Sequence, residues 1–313
     1  MPFCRICKND DVKETYRVKE MMFGLNEYFD YFLCPECHCL QIASIPEVMD
    51  KYYDATNYYS HTTDNSLLKR LSTRMAVWRD KSDLYHNHPA GKLISFFVPS
   101  REEIRFISYL DGIGKNSKIL DIGSGMGFHL RRLESLGFDD LRGIDPFLKE
   151  ETVRSGRISI FKKYLEEYEE KDFDLITLQH TFEHLPDPQK TLQLVYNKLL
   201  PGRYCVIRVP VIPNFAWEEY KENWFQIDAP RHVFIPSTQT MERLCKPVGF
   251  KVQGIVYDST PKQFYISEQY QQGIPLVKQK DHFSAEKMAG YKRRTAIANK
   301  IGKGDQAIFI LQK

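Results

Sequence analysis

The sequence predicts an α/β protein built on a doubly wound, mostly parallel sheet, preceded by a small cysteine-rich unit. Three observations predict this architecture. From residue 118 onward, short apolar strands alternate with helical patterns, which is the order that covers parallel strands with helices on both faces. A glycine-rich loop follows the first of those strands. Five of the seven cysteines lie within the first 39 residues.

The composition of the 313 residues limits the classes of function. Hydrophobic residues make up 42% and charged residues 27%, as in globular proteins with room for about two domains. The net charge of +3 and the pI near 8.3 are weakly basic, whereas a dedicated nucleic-acid-binding domain often has a pI above about 9. We see no run of about 18 apolar residues and no signal-peptide pattern, so we expect a cytoplasmic protein without a membrane span.

Three regions follow one another along the chain: a cysteine-rich unit at 1–45, a helical and aromatic cap or linker at 46–115, and the α/β domain at 116–313. Seven strands are predicted, at 119–122, 141–144, 158–161, 175–179, 203–209, 251–256 and 306–311. Helices are predicted at 66–81, 101–110, 128–136, 188–200, 238–245 and 284–300. The segment 210–236 breaks the alternation and is interpreted as the substrate loop, because loops of this length usually carry function.

The stretch KILDIGSGMGFHL, residues 118–130, contains the glycine-rich loop. Glycines at 123, 125 and 127 allow a sharp turn and let a ligand approach the backbone, and open parallel sheets bind ligands at this end of their strands. Asp121 ends the first strand, and Asp145 ends the second, where a carboxylate can accept two ribose hydroxyls. The spacing G-x-G-x-G differs from the dinucleotide pattern G-x-G-x-x-G. These features predict a nucleoside ligand with a cationic amino-acid tail.

Four motifs in order, ILDIGSGMG, GIDPF, FDLITLQHTFEHLPDP and NKLLPGRYCVIRVP, resemble the class I S-adenosylmethionine (SAM)-dependent methyltransferases over roughly residues 100–256. The resemblance implies a Rossmann-like domain with a seven-stranded sheet whose last strand, at 306–311, is antiparallel. It also implies a set of SAM contacts: Asp121 near the amino group, Gly123, Ser124, Gly125 and Gly127 along the methionine part, Asp145 at the ribose, and Gln179 and His180 near the transferable methyl. The usual acid for adenine is not recognisable in FKKYLEEYEE, so the adenine contact stays unassigned.

Two Cys-x-x-Cys pairs, Cys4 with Cys7 and Cys34 with Cys37, have the spacing of zinc knuckles. We expect them to bind one structural zinc ion, because so small a unit has too little core to fold without it. Cys39 is the spare for the fourth ligand, and reduced surface cysteines are the alternative.

A zinc ribbon ahead of such a domain resembles the sugar-modifying methyltransferases of bacterial surface-polysaccharide and deoxysugar pathways. The C-methyltransferases of those pathways usually have a further C-terminal domain, for which this sequence leaves no room. We therefore expect methylation of oxygen or nitrogen.

Methyl transfer from a sulfonium requires aligned reactants and removal of a proton from the acceptor, for which histidine titrates in the right range. His232, in the segment 210–236, is the favoured base, with His184 and His180 as reserves. A turn-forming role is the alternative for His184, because E-H-L-x-D-P often makes a structural turn in the resembled family.

Metal binding is another possible role for these side chains. His180, Glu183, His184 and His232 combine an H-x-x-E-H pattern with a distant histidine, and two histidines with a carboxylate can hold a divalent cation that chelates the acceptor.

Aromatic and cationic residues supply candidate substrate contacts. Trp224 and Arg231, in the segment 210–236, could stack on or clamp a sugar or a phosphate. Tyr58 and Tyr59 could form a lid, although packing within the cap is an equal alternative.

Taken together, the sequence predicts an enzyme that transfers a methyl group from SAM to a hydroxyl or amine of a nucleotide-linked sugar or a surface-polysaccharide precursor. We expect a small sugar-type substrate rather than nucleic acid. One alternative is an RNA base methyltransferase that grips RNA with the zinc ribbon. Another is a cofactor-binding scaffold without turnover, against which the intact glycines and both acids argue. The oligomeric state stays open.

Overall fold

The computed structural model describes residues 3–53, 67–85, 89–97, 102–279 and 283–313. Within these ranges the strands are β1 (Glu14–Lys19), β2 (Tyr28–Leu33), β3 (Leu40–Ile42), β4 (Lys118–Ile122), β5 (Asp140–Ile144), β6 (Thr152–Ser155), β7 (Ile158–Phe161), β8 (Phe173–Gln179), β9 (Leu199–Pro210), β10 (Phe234–Ile235), β11 (Lys251–Tyr257) and β12 (Gln306–Gln312). The α-helices are α1 (Leu67–Tyr85), α2 (Pro89–Phe97), α3 (Glu102–Arg105), α4 (Phe128–Leu136), α5 (Pro188–Lys198), α6 (Phe215–Tyr220), α7 (Thr238–Val248), α8 (Lys262–Gln271) and α9 (Ala285–Lys300).

The larger sheet has the strand order β11-β12-β9-β8-β4-β5-β7-β6. Strands β8, β4, β5 and β7 pair in parallel. Strand β12 is antiparallel to β9, because the backbone of Lys313 exchanges hydrogen bonds with Gly202 and Arg203 while the carbonyl of Asp305 accepts from the amide of Val211. The predicted doubly wound α/β sheet with an antiparallel last strand is confirmed.

An eighth strand, β6, was missed by the sequence analysis, which predicted seven. It pairs antiparallel with β7 through a two-residue turn at Gly156 and Arg157, with φ of +58° at Gly156. Three of its four residues are exposed. An exposed edge strand has no apolar alternation, so the hydrophobic pattern could not predict it.

The second sheet is antiparallel, with the strand order β1-β2-β3-β10. Strand β10 comes from the segment predicted as the substrate loop, and Phe234 pairs with Gln41 of β3. The same segment also contains helix α6 and 3-10 turns at Lys221–Asn223 and Phe225–Ile227. The side chain of Asn214 caps α6 by accepting from the amide of Trp217. The segment 210–236 therefore has regular structure over much of its length, and most of its aromatic side chains are buried.

The chain forms two compact units. The first comprises residues 1–59, 180–193 and 208–309, and the second comprises residues 60–179, 194–207 and 310–313. The cysteine-rich ribbon and the histidines belong to the first unit, and the glycine-rich loop belongs to the second. None of the helices in the described ranges is both long and apolar enough to cross a bilayer.

Candidate active site

The glycine-rich loop of the second unit has a backbone that favours glycine at three alternate positions. Gly123, Gly125 and Gly127 have φ values of +70°, +51° and +78°, in the left-handed region. A Cβ atom on Gly127, which precedes α4, would lie 2.6 Å from Cδ1 of Ile160. The amide of Gly123 donates to the carbonyl of Ile144 at the end of β5 over 2.8 Å. The loop is thus held close to the carboxyl edge of the sheet, without side chains over it at the glycine positions.

Asp145 is linked directly to this loop. The amide of Gly125 donates to its Oδ2 and the amide of Phe147 donates to its Oδ1, each over 2.9 Å. Each carboxylate oxygen keeps a lone pair, so Asp145 can still accept from two ribose hydroxyls. The ring of Phe147 is 67% exposed and could stack on an adenine. No adenine contact was predicted from the sequence, although the Phe of GIDPF was the available signal.

Asp121 is the buried acid beneath the loop. Its side chain accepts a hydrogen bond from Oγ1 of Thr177 over 2.7 Å. Burial, with a smaller contribution from the charge of Asp145, raises the pKa of Asp121 to about 7 against the opposing effect of the Thr177 bond. Thr177 was not predicted as a site residue, because its position opposite Asp121 in the β4–β8 register is a property of the sheet. A ligand ammonium near Asp121 would favour its ionised form.

Two further predicted cofactor residues fit a polar ligand. Ser124 is 9% exposed, and its Oγ has no hydrogen-bond partner among the described residues. A Cβ atom on Gly143 would lie 2.5 Å from that Oγ, so only glycine leaves room for the Ser124 side chain. Gln179 ends β8, and the pairing of Ile122 with Leu178 places it beside Gly123. The loop, an unpartnered hydroxyl and two acids together fit the nucleoside and amino-acid parts of SAM.

The histidines of the first unit gather around one buried carboxylate. Nδ1 of His180 lies 3.2 Å from Oε1 of Glu183, and Nε2 of His232 lies 3.8 Å from the same oxygen. The rings of His184 and His232 are 4.7 Å apart at their centroids. His180 has a φ of +52°, an uncommon value for a residue with a side chain and one that is often found at functional sites.

Hydrogen bonds fix the same tautomer on all three rings. Nδ1 of His184 lies 2.9 Å from the carbonyl of Arg231, and Nδ1 of His232 lies 2.7 Å from the carbonyl of Gln226. A carbonyl only accepts, so both Nδ1 atoms carry the proton and donate. Nδ1 of His180 donates likewise to Glu183. In each neutral ring Nε2 is therefore the atom with the lone pair.

The charges of this cluster follow from its surroundings. Burial alone would raise the pKa of Glu183, but the hydrogen bond from His180 and the nearby imidazoles lower it to about 2. Burial lowers the pKa of His232 to about 4, although the carboxylates of Asp228 and Glu183 oppose that effect. At neutral pH the cluster thus contains an ionised carboxylate and a neutral His232.

Asp228 is a member of this region that the sequence analysis missed. Its Oδ2 lies 3.6 Å from Nε2 of His232, and its other oxygen pairs with the guanidinium of Arg231. Its position four residues before His232 in D-A-P-R-H was the signal that could have found it. Burial opposes ionisation of Asp228, but Arg231 and His232 lower its pKa below the usual range.

The predicted substrate contacts need revision where the structure describes them. Trp224 is 1% exposed, and its indole donates to Oδ2 of Asp305 over 3.3 Å. Arg231 is also 1% exposed, and it donates to the backbone carbonyl of Tyr52. Buried side chains with internal partners stabilise the first unit and do not offer a surface to a sugar. Tyr58 and Tyr59 lie outside the described residues.

The four predicted zinc ligands, Cys4, Cys7, Cys34 and Cys37, have all their Sγ atoms within 4.8 Å of one another. Two of the pairs are 3.5 Å apart, near the ~3.8 Å that four sulfurs adopt around a tetrahedral zinc ion. The two knuckles share one backbone shape, with Lys8 and His38 at φ of +64° and +57°. These four thiols could hold a zinc ion.

Cys39, the spare zinc ligand of the sequence analysis, is outside this set. Its thiol instead donates to the carbonyl of Ile235 over 3.3 Å.

Residues 87–254 match the methyltransferase domain family, which is more than half of the 313 residues. The chain belongs to this family. Together with the doubly wound sheet, this makes it a SAM-dependent methyltransferase, as the four motifs predicted.

Two curated relatives of this methyltransferase are named tRNA U34 carboxymethyltransferase. The one from Pseudoalteromonas translucida is 26% identical over 238 residues, covering 67% of this chain and 69% of the relative. The one from Idiomarina loihiensis is 25% identical over 177 residues, covering 50% of this chain and 52% of the relative. A solved SAM-dependent methyltransferase from Archaeoglobus fulgidus is 21% identical, with a TM-score of 0.43 over 71% of this chain and 99% of that chain.

Proposed function

We propose that the enzyme methylates a base in RNA, with His180 as the proton acceptor. When bound, SAM supplies a methyl group on a positively charged sulfur, so the protein has to hold the reactants and remove one proton. The observation that carries the proposal is the His180–Glu183 pair at the end of β8, one residue beyond Gln179. Glu183 accepts from Nδ1 of His180 and so leaves Nε2 to receive the proton.

Exposure distinguishes the candidate bases. The side chain of His180 is 34% exposed, whereas that of His232, the base favoured by the sequence analysis, is 6% exposed. A base must reach the acceptor within hydrogen-bonding distance. His180 therefore fits the role better, and Glu183 acts as the positioning residue that holds its ring.

The RNA acceptor is supported by the names of the two relatives and by the surface of the ribbon. Tyr28 is 49% exposed, with the guanidinium of Arg17 and the ammonium of Lys19 at 5.1 Å and 5.7 Å from its ring centroid. Phe3 is 52% exposed, with Lys8 at 5.8 Å. Exposed aromatic rings beside cations bind unpaired bases by stacking and hold the backbone by charge.

A nucleotide-linked sugar is the second candidate acceptor. It is favoured by the hydrogen bonds that anchor the ribbon to other segments of the first unit, because they give the ribbon a structural role that requires no RNA. The hydroxyls of Ser237 and Thr240 both donate to the carbonyl of Cys37, and Arg5 donates to the carbonyls of Ile42 and Val233. A ribbon fixed in this way serves as a scaffold for the segment of His232 whether or not it touches RNA.

Methyl-labelled SAM distinguishes the two acceptors. The purified enzyme is incubated in separate tubes with total tRNA and with a nucleotide-sugar extract from the host. We expect label in tRNA, and we expect His180→Gln to lower its rate by about 10²–10⁴-fold while SAM affinity stays unchanged. His38→Asn is the matched control, because His38 lies in a knuckle and Asn tolerates its positive φ.

Each result of this labelling experiment has a defined meaning. Label in the sugar fraction alone would make the second candidate the function. Full activity of His180→Gln, with loss of activity in His232→Gln, would return the base to His232.

Substitution of Tyr28 tests the ribbon as an RNA surface. We expect Tyr28→Ala to weaken tRNA binding about tenfold, because stacking of one base contributes about 1–3 kcal/mol. Arg17→Ala should reduce the salt dependence of binding by about one phosphate contact. Fluorescence anisotropy with labelled tRNA measures both. Tyr109→Ala, at a ring that is 54% exposed and lies in the second unit, is the control. Equal binding by the Tyr28 and Tyr109 variants would contradict an RNA role for the ribbon.

A further inference from the structure

Glu183 is a buried carboxylate whose ion-pair partners among the described residues are histidines alone. Its side chain is 0% exposed, and the partners are His180 and His232. Its Oε2 is buried and has no hydrogen-bond partner among the described residues. A buried negative charge is costly unless a cation or a set of hydrogen bonds compensates it.

The neighbouring imidazoles have the arrangement that metal ligands require. His184 and His232 each donate Nδ1–H to a backbone carbonyl, of Arg231 and Gln226 respectively. Metal-bound histidines usually donate the second ring nitrogen in this way, which fixes the tautomer and the ring plane. Both lone pairs are then on Nε2 and available to a cation.

We propose that Glu183, His184 and His232 bind a divalent transition-metal ion of the zinc type. One ligand atom from each of the three residues lies within 4.8 Å of the other two. Two imidazoles and one carboxylate suit zinc and its neighbours in the first transition row, whereas magnesium and calcium prefer oxygen ligands. One cation bound by these three side chains would compensate the buried carboxylate and use the lone pairs of both imidazoles.

The three residues come from two segments of the first unit. Glu183 and His184 lie in the 3-10 turn that follows β8, and His232 lies just before β10. A metal ion would tie these segments together and hold Glu183, whose Oε1 accepts from His180. The site differs from the four-residue cation site considered in the sequence analysis, because His180 is outside the ligand set. It depends on neither acceptor and does not require the proposed function.

Metal content of the full-length protein tests this site without any measurement of methyl transfer. The chain is produced in medium supplemented with zinc, and metal per chain is measured by mass spectrometry. We expect two equivalents in the native protein, one held by the four cysteines and one by this site. His184→Gln and Glu183→Gln should each retain only the equivalent held by the four cysteines. Cys34→Ser should retain only the equivalent held by Glu183, His184 and His232. His180→Gln is the matched control and should retain both.

Cobalt provides a second measurement that does not depend on the folding of the histidine variants. Native protein produced with cobalt should show thiolate-to-cobalt absorption from the cysteines and additional visible bands from a site with nitrogen and oxygen ligands. In Cys34→Ser only the visible bands of the site with nitrogen and oxygen ligands should remain. A single equivalent with thiolate bands alone would overturn the proposal. Two metal equivalents in His184→Gln would also overturn the proposal. A proton shared by Glu183 and the histidines would then compensate the charge of Glu183.

Discussion

Asp121→Asn is expected to weaken SAM binding by about 10- to 100-fold and to make the ligand-free protein more stable at pH 8. The first effect follows because a hydrogen bond between charged groups contributes about 1.5–3 kcal/mol, and Asn has no charge for the ammonium. The second follows because the buried carboxylate is desolvated and close to Asp145. Asn keeps an oxygen that can accept from Thr177, so the local hydrogen bond survives. Calorimetric titration with SAM and thermal melts measure the two effects.

The pH dependence has a definite sign. Burial raises the pKa of Asp121 from 3.8 to about 7, so between pH 4 and 7 the folded protein keeps a proton that the unfolded chain loses. The free energy of unfolding therefore falls as pH rises through this window, by at most about 4 kcal/mol. SAM affinity should rise over the same window, because the ammonium favours the ionised carboxylate. Asp121→Asn should remove both dependences.

Two further variants control this prediction. Thr177→Val removes the hydrogen bond that lowers the pKa of Asp121, so it should move the rise in SAM affinity to higher pH. Asp139→Asn also removes one carboxylate charge, but from a half-exposed side chain that pairs with Arg157. It should leave SAM affinity unchanged. If Asp121→Asn binds SAM as the native enzyme does, Asp121 does not contact the amino group.

Cys34→Ser is expected to cause the largest loss of stability. Structural zinc contributes about 10–16 kcal/mol to the folding of zinc-finger peptides, and a broken ligand set forfeits much of that contribution. We expect Tm to fall by at least about 10 °C, since 1 kcal/mol corresponds to about 2–4 °C in a chain longer than about 150 residues. Close to the lowered Tm the loss should reach the histidine cluster, because Tyr31 of β2 donates to the backbone carbonyl of His232 over 2.8 Å, whereas well below that temperature the cluster should stay folded and keep its metal. Methyl transfer should therefore fall as well close to the lowered Tm.

Cys39→Ser provides the matched control. Cys39 is as buried as Cys34 and lies close to it in the chain, but its thiol donates to a backbone carbonyl instead of joining the four-sulfur set. Serine can make the same hydrogen bond, so this variant should keep the metal of the ribbon and most of the stability. If both variants lose stability equally while metal content is unchanged, the four cysteines do not hold a structural ion.

Much of the predicted SAM site could be predicted from the sequence because it is local in sequence. Strand β4, the three glycines, helix α4 and the two acids follow one another within residues 118–145, and each has a steric or electrostatic reason for its position. The contribution of Thr177 could not be predicted. It depends on the register between β4 and β8, and 56 residues separate Thr177 from Asp121.

The histidine cluster illustrates the opposite case. The sequence showed three histidines, but the burial of a histidine in a loop cannot be predicted from the sequence. Packing made His232 a buried residue with a lowered pKa and left His180 half-exposed. Packing also turned Trp224 and Arg231, which were predicted to contact substrate, into internal residues with internal partners.

The sequence by itself determined the class of fold, the methyltransferase family and the pairing of the two cysteine knuckles, because each rests on short-range spacing. Only the tertiary structure decided which residues share a charge or a proton. It joined Glu183 and His184 to His232 across 48 residues, excluded Cys39 from the sulfur set and added the exposed edge strand β6. The physical reason is that pKa, tautomer and metal affinity depend on burial and on the atoms within about 4 Å, and contacts between distant segments create both.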